Sequence, residues 1–185
     1  MSFWKNLFGK KEEKPSLDPL ADLVLEKLKP GYLLDYDLRT WQVVAQHYHD
    51  MGDGYRREEW ELRSDGEIYF LNREEDEGVY WHLTRQVPVD AVDRNLRNYI
   101  REHNDPPETL DYEGVHFRMC SYGGAKFYRN GEGPPQPFLY WDYEDEKREK
   151  ILTIEQWGDI EFEAYFGQYV EEYQFTNILP GKLSS

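Results

Sequence analysis

Two histidines with carboxylates close behind them are the residues whose types and spacing could do chemistry. His47 and His49 stand two positions apart, followed by Asp50 and Asp53. On a β-strand, residues two apart share a face at roughly 6.7 Å, so both imidazoles could reach one metal ion. Metal sites need more than two ligands, however, and both aspartates also suit the turn that ends at Gly54. His47 and His49 are therefore a candidate metal site, with an ordinary strand end as the alternative, and no cofactor is predicted.

Other reactive side chains form no recognisable catalytic set. Cys120 and His116 would lie about 13 Å apart on one strand, which is too far for a hydrogen bond. Glu161 and Glu163 alternate with apolar residues, which predicts a solvent-facing row rather than two carboxylates across a cleft. A glycine-rich phosphate loop, a nucleophile elbow and a zinc-binding helix motif are all absent from the sequence. We therefore predict no catalytic residue and favour a protein that is not an enzyme, with an enzyme of unrecognised site as an alternative.

Tryptophans are the strongest chemical feature of the chain. Aromatic residues make up 16% of it, and the formal net charge is −15. Rings beside carboxylates suit sugars, by stacking, and polyamines, by cation–π contact and charge pairing. Trp60 and Trp141 fall on predicted strands and Trp157 precedes a turn, so these three are the candidate ligand-binding residues. An aromatic core under a solubilising surface explains the same residues without a ligand.

Composition excludes several classes of protein. The net charge of −15 argues against nucleic-acid binding, which needs clustered Lys and Arg, and would steer cations instead. Cys120 is the single cysteine, so an internal disulfide is impossible and the reducing cytoplasm is favoured. The sequence contains no apolar run of the ~20 residues that a membrane-spanning helix requires.

Residues 1–15 form an amphipathic leader and linker. Phe3, Trp4, Leu7 and Phe8 fall on one face at helical spacing, with lysines beside them. Such a segment resembles a very short interfacial helix, which normally needs a second signal to hold a membrane. The leader could dock on the inner membrane surface or on a partner protein. A disordered tail is the simpler alternative.

The rest of the chain is predicted to be mainly β. Residues 16–29 read as a short helix, 30–88 as a first β-unit, 89–104 as a connecting helix and 105–181 as a second β-unit. Together they would make one structural domain with internal pseudo-symmetry.

An internal repeat relates the two β-units. Leu34-Asp-Tyr-Asp37 reappears as Leu110-Asp-Tyr-Glu113, an offset of 76, whereas Trp60 matches Trp141 at an offset of 81. The extra residues fall in the loop from Gly123 to Pro137. This pattern predicts two duplicated antiparallel β-meanders packed as a sandwich or a barrel-like pair, with any ligand at the seam between them.

Five segments carry a family resemblance over most of residues 30 to 180. Pro30-Gly-Tyr-Leu-Leu-Asp35, Thr40-Trp-Gln-Val-Val44, Glu58-Glu-Trp-Glu-Leu62, Tyr69-Phe-Leu71 and Gly167-Gln-Tyr-Val170 resemble the bacterial family called domain of unknown function 4178. The resemblance implies fold and lineage, and a setting beside polyamine-synthesis and envelope-stress genes; it assigns no functional residue. We expect a non-enzymatic binding or interaction module, peripheral to the inner membrane through its leader, with a small-cation (polyamine) binder as the alternative.

Overall fold

The computed structural model describes residues 23–75 and 77–183. Within these residues the chain forms eleven strands and two short helices. The strands are β1 (Leu33–Tyr36), β2 (Arg39–Gly52), β3 (Tyr55–Ser64), β4 (Glu67–Glu75), β5 (Val79–Val87), β6 (Thr109–Tyr112), β7 (Val115–Tyr128), β8 (Gln136–Asp145), β9 (Lys150–Trp157), β10 (Glu161–Val170) and β11 (Thr176–Leu179). The helices are α1 (Val89–Val92) and α2 (Leu96–His103).

Tight turns set the hairpins. Asp65 and Gly66 join β3 to β4 with φ of 45° and 84°, and the type I′ turn requires positive φ at both of these positions. Glu113 and Gly114 join β6 to β7 in the same way, with φ of 51° and 75°. Asp-Gly between two strands is a strong sequence signal for a hairpin of this type.

Eight of the described strands close into a barrel. Neighbouring strands follow the order β2-β3-β4-β5-β10-β9-β8-β7, and β7 pairs with β2 to complete the ring. All of these pairings are antiparallel. The short strands β1 and β11 extend the sheet beside β2, and β6 extends it beside β7. The mainly β class is confirmed, and of the two packing alternatives the barrel is the one adopted.

The long strands β2 and β7 each change both face and partner along their length. The β2–β3 register shifts between Val43 and Ala45, and the β7–β8 register shifts between Met119 and Ser121. A bulge of this kind moves the following side chains to the opposite face of the sheet. In β2, Val43 therefore faces outward whereas His47 faces the interior.

The two bulges stand at the offset of 76 that the sequence repeat shows, because Val43 and Met119 are 76 residues apart. The descent of the two halves from one duplicated unit remains a prediction.

The outward face of the first half is covered by the described segments that precede β1 and β11. Leu25, Leu28 and Phe175 pack with Trp41 and Trp60 in one buried cluster. The indole N–H of Trp60 donates to the carbonyl oxygen of Leu28 at 3.1 Å, so its polar edge is satisfied without water. Trp60 is therefore a core residue outside the barrel wall.

The outward face of the second half is covered by the two helices. Val92, Leu96 and Ile100 pack with Trp141 and Leu152 in a second buried cluster. The indole N–H of Trp141 donates to Asp105 Oδ1 at 3.2 Å. Each half thus buries a large apolar cluster on the outside of the barrel, and several charged residues of these strands line the interior.

Both predicted helices differ in the structure. The connecting helix 89–104 is two helices, because Asp93 is extended (φ −154°, ψ 125°) and its Oδ1 accepts a hydrogen bond from the Asn95 amide at 2.7 Å. Aspartate often breaks a helix through such a local bond.

Of the predicted helix 16–29, the described part holds one 3-10 turn, Leu25–Lys27. The remainder, together with the leader residues Phe3, Trp4, Leu7 and Phe8, lies outside the described residues.

Candidate functional site

The barrel interior contains a cavity of about 380 Å³. All eight barrel strands line it, through His49 (β2), Glu59 (β3), Asn72 (β4), Thr84 (β5), Tyr165 (β10), Glu155 (β9), Gln136 (β8) and Phe127 (β7). The exposed side chains of Gln86, Gln136 and Glu161 mark its mouth. Both halves of the chain therefore build one site.

Strand alternation explains why this interior is polar. On β3, Trp60 and Leu62 belong to the outer core, so Arg57, Glu59 and Glu61 point inward. The same rule places Glu161 and Glu163 of β10 on the cavity side. The sequence prediction of a solvated row holds only for Glu161, which is exposed, because closure of the barrel half-buries Glu163.

A buried charge network forms the floor of the cavity. Arg57 Nη2 lies 2.7 Å from Asp142 Oδ2, and Arg57 Nε lies 2.5 Å from Glu74 Oε1, an ion pair rather than a directed hydrogen bond. Thr153 donates to Asp142 at 2.6 Å and Tyr55 to Glu74 at 2.5 Å. The guanidinium of Arg57 is thereby paired with two carboxylates.

The same network sets two protonation states. Burial alone would raise the pKa of Glu74, but the positive charge of Arg57, together with His82 and the hydrogen bond from Tyr55, outweighs it and holds that pKa at about 2. Burial lowers the pKa of His82 to about 4, so this imidazole is neutral at physiological pH. The floor therefore carries a fixed pattern of charge.

The two candidate metal ligands share the cavity wall, as their spacing predicts. His47 Nδ1 accepts a hydrogen bond from the Asn130 amide at 2.9 Å, so the proton of the neutral ring sits on Nε2. Burial lowers the pKa of His47 and keeps it neutral. In the described part of the chain, no three His, Cys, Asp or Glu side chains are grouped as metal ligands. The metal site remains a prediction.

His49 has a different environment from its neighbour. Its ring is 4% exposed, and neither ring nitrogen has a hydrogen-bond partner among the described residues. Its Nε2 lies 3.6 Å from Glu59 Oε2, which is close enough for a charge interaction and too long for a hydrogen bond. A buried polar group left in this way requires an explanation.

Two carboxyl groups of the cavity are shifted in opposite directions. Burial raises the pKa of Glu155 well above its ordinary value, and the negative charges of Glu59 and Glu163 raise it further. Burial also acts to raise the pKa of Glu59, but His49, with smaller effects from His47 and Arg57, outweighs it and lowers that pKa. Glu59 is thus ionised while Glu155 retains its proton more readily.

Of the three candidate tryptophans, Trp157 alone lines the cavity. Its ring stacks on Phe138 with centroids 4.6 Å apart and meets the edge of Phe127 at 5.8 Å. Its indole N–H donates to Glu155 Oε2 at 3.1 Å. Trp60 and Trp141 serve the two outer cores described above and lie on the far side of the barrel wall.

Sequence reasoning did not single out Glu59, Glu61 or Glu155. Each alternates with apolar residues along its strand, and this is the same signal that a solvent-facing residue gives. The spacing of the outward core residues was the usable clue, because it determines which residues share the opposite face.

The fold and the site define a closed antiparallel β-barrel with an acidic, ligand-sized interior. The chain belongs to the family described as domain of unknown function (DUF4178), whose model matches residues 29–172. It is 32% identical over 176 residues to an uncharacterised protein of Aquifex aeolicus (strain VF5), covering 95% of this chain and 96% of that relative. No solved structure matches the chain. The predicted family resemblance is confirmed.

Membrane insertion through a helix finds no support in the described residues. None of the helices they form is long and apolar enough to cross a bilayer.

Proposed function

We propose that this protein is a non-enzymatic binding module whose barrel interior holds a small organic cation of the polyamine type. One observation carries the proposal: the described lining has more acidic than basic side chains. Five carboxyl groups line the cavity, from Glu59, Glu61, Glu155, Glu161 and Glu163, beside two cationic side chains, Arg57 and Arg129. Since Arg57 is already paired with Glu74 and Asp142, it does not balance these acids.

The physics of the cavity supports a cation. Carboxylates held in a partly enclosed site interact with a bound charge more strongly than they would in water. A net charge of −15 over the whole chain raises the rate at which cations arrive. A volume of about 380 Å³ suits a small ligand, because ligand pockets span roughly 300–1,000 Å³.

Calorimetric titration with spermidine tests the proposal. We expect saturable binding that persists when sodium chloride is adjusted to the same ionic strength, and loss of that binding in Glu155→Gln. Glu102→Gln is the matched control, because Glu102 is exposed on α2, outside the barrel. Heat that is reproduced by sodium or magnesium chloride alone would contradict the proposal.

A second candidate, an enzyme, is favoured by the opposite pKa shifts of Glu59 and Glu155. Pairs of carboxyls with separated pKa values commonly act as base and acid in catalysis. Mass spectrometry of an amine incubated with the protein distinguishes the two functions. The binding module returns the amine unchanged, whereas an enzyme would convert it.

A further inference from the structure

The starting point is the unpartnered imidazole of His49. It is 4% exposed, it lines the cavity, and both ring nitrogens lack hydrogen-bond partners among the described residues. Buried polar atoms are nearly always satisfied, and those that are not commonly mark a functional group or an unseen ligand. His49 is therefore an unsatisfied polar group on the cavity wall, where a bound ligand could supply the missing partner.

The surroundings hold this ring in place. Phe127 and Phe138 contact it edge-on, with centroids 5.1 Å and 5.5 Å away. His49 also stands opposite Arg57 in the β2–β3 ladder, and the guanidinium of Arg57 is fixed by its own ion pairs. The imidazole therefore presents its nitrogens at fixed positions, as a selective binding site requires.

Three hydrogen-bond acceptors line this part of the interior. The carboxylate of Glu59 lies 3.6 Å from the His49 ring, and Glu59 is near enough to Glu155 to act on its charge. A ring nitrogen of His49 can act as the third acceptor when it carries no proton, beside the carboxyl of Glu155. A primary ammonium group carries three N–H donors, which matches this set.

A quaternary ammonium group needs a different site. It has no N–H donor and is recognised by open aromatic faces that surround it. Here the face of Trp157 is stacked on Phe138, and Phe127 meets Trp157 edge to face. These three described rings therefore pack on one another, and the acceptors of His49, Glu59 and Glu155 suit an ammonium that carries N–H donors.

We propose that the cavity selects primary ammonium groups over quaternary ones, with His49 as the residue that determines this specificity. The proposal rests on the cation site proposed above and names the chemical class of its ligand. A bound ammonium would complete the coordination of His49 and Glu59, which are otherwise left without a hydrogen bond to each other.

Two probes of equal charge and length test the selectivity. Putrescine has two primary ammonium ends, and its fully N-methylated analogue has two quaternary ends on the same four-carbon chain. We expect the wild-type protein to bind putrescine at least about tenfold more tightly in calorimetric titration, since one charged hydrogen bond is worth about 1.5–3 kcal/mol and 1.4 kcal/mol is tenfold. In His49→Phe, which keeps an aromatic ring of similar size, the ratio should fall towards one through weaker putrescine binding.

His116→Phe is the matched control, because His116 is exposed and pairs with Asp111 outside the barrel; it should keep the wild-type ratio. Equal affinity of the wild-type protein for both probes would overturn the selectivity and leave the cation site standing. Failure of both probes to bind would overturn the cation site itself.

Nuclear magnetic resonance of the wild-type protein tests the role of His49 without depending on the folding of a variant. The chain has five histidines, so long-range proton–nitrogen spectra of the wild-type protein resolve each imidazole. Putrescine should shift the ring nitrogens of His49 and leave those of His116 unchanged. Binding of putrescine without a change at His49 would remove this residue from the site.

Discussion

Arg57 and Asp142 are joined at 2.7 Å across the barrel interior, although 85 residues separate them in the chain. The bond links β3 of the first half to β8 of the second. Strands β3 and β8 are not neighbours in the sheet, so this charged pair links two separate walls of the barrel.

Removal of Arg57 should destabilise the fold strongly. Arg57→Met leaves the carboxylates of Glu74 and Asp142 without their cation, and breaking a buried pair in this way costs about 3–5 kcal/mol. Urea denaturation followed by tryptophan fluorescence measures the loss. Arg39→Met is the control, because Arg39 pairs with Glu67 at the surface, where such a change is usually within about 0.5 kcal/mol. Equal effects of the two variants would contradict the structural role of the network.

Stability should fall with acid in two separate windows. The pKa of His82 is about 4 in the folded protein and 6.5 in the unfolded chain, so the unfolded state gains protons first and the free energy of unfolding falls between pH 6.5 and 4. The pKa of Glu74 is about 2 when folded and 4.5 when unfolded, which places a second loss between pH 4.5 and 2. Each loss is about 3 kcal/mol at most.

Urea denaturation at pH 7, 5 and 4 measures the first window. His82→Gln should remove this loss. The second window should persist, because Arg57 is the larger charge acting on Glu74. Protonation of Glu155 stabilises the folded protein in the same range, so the comparison is between the wild-type protein and His82→Gln. A stability difference between them that stays constant from pH 7 to 4 would show that His82 is not buried in its neutral form.

Glu155→Gln should stabilise the protein at neutral pH while it abolishes cation binding. Burial and the neighbouring carboxylates oppose ionisation of Glu155, and the amide removes that unfavourable charge while keeping the shape of the side chain. Residues that trade stability for function are typical of binding sites. The melting temperature should rise, and the rise should shrink as the pH falls, when wild-type Glu155 becomes protonated. A melting temperature below that of the wild-type protein would contradict an unfavourable effect of burial and neighbouring charge on Glu155.

Gly167→Ala should be poorly tolerated. A Cβ at this position would approach the carbonyl oxygen of Leu83 in the paired strand β5, a rigid backbone atom rather than a mobile side chain. Overpacking of this kind costs about 1–3 kcal/mol or more. Gly124→Ala in β7 is the control, because its Cβ would meet only ordinary contacts from 3.7 Å outward. Thermal unfolding of both variants compares the two, and similar melting temperatures would contradict the close approach.

Local signals predicted much of this fold. The Asp65-Gly66 dipeptide carries the signal of its hairpin, and the aromatic core given as the alternative for Trp60 and Trp141 is the role that the structure shows. His47 and His49 were correctly expected on one face, because period two is a property of the strand itself.

Local sequence signals could not predict that the barrel closes. The pairing of His49 with Phe127 joins residues of different halves, and no short-range pattern encodes it. Alternation separates the two faces of a strand but does not say which face lies inside a closed ring. For that reason Glu163 was assigned to solvent, and for the same reason Glu59 and Glu155 were not recognised as a site.

The short ladder between β2 and β7 determines where the barrel opens most easily. Their ladder consists of three residue pairs, Tyr48 with Tyr128, His49 with Phe127 and Asp50 with Lys126, whereas every other ladder of the ring holds six or more. A ring of ladders opens first at the shortest one, because the fewest bonds break there. The β2–β7 ladder is therefore the place where the barrel should open first, and His49 is one of its paired residues. Backbone amides of the β2–β7 ladder should exchange with deuterium before those of β4 or β9. Slower exchange in this ladder than in those strands would show that it does not open first.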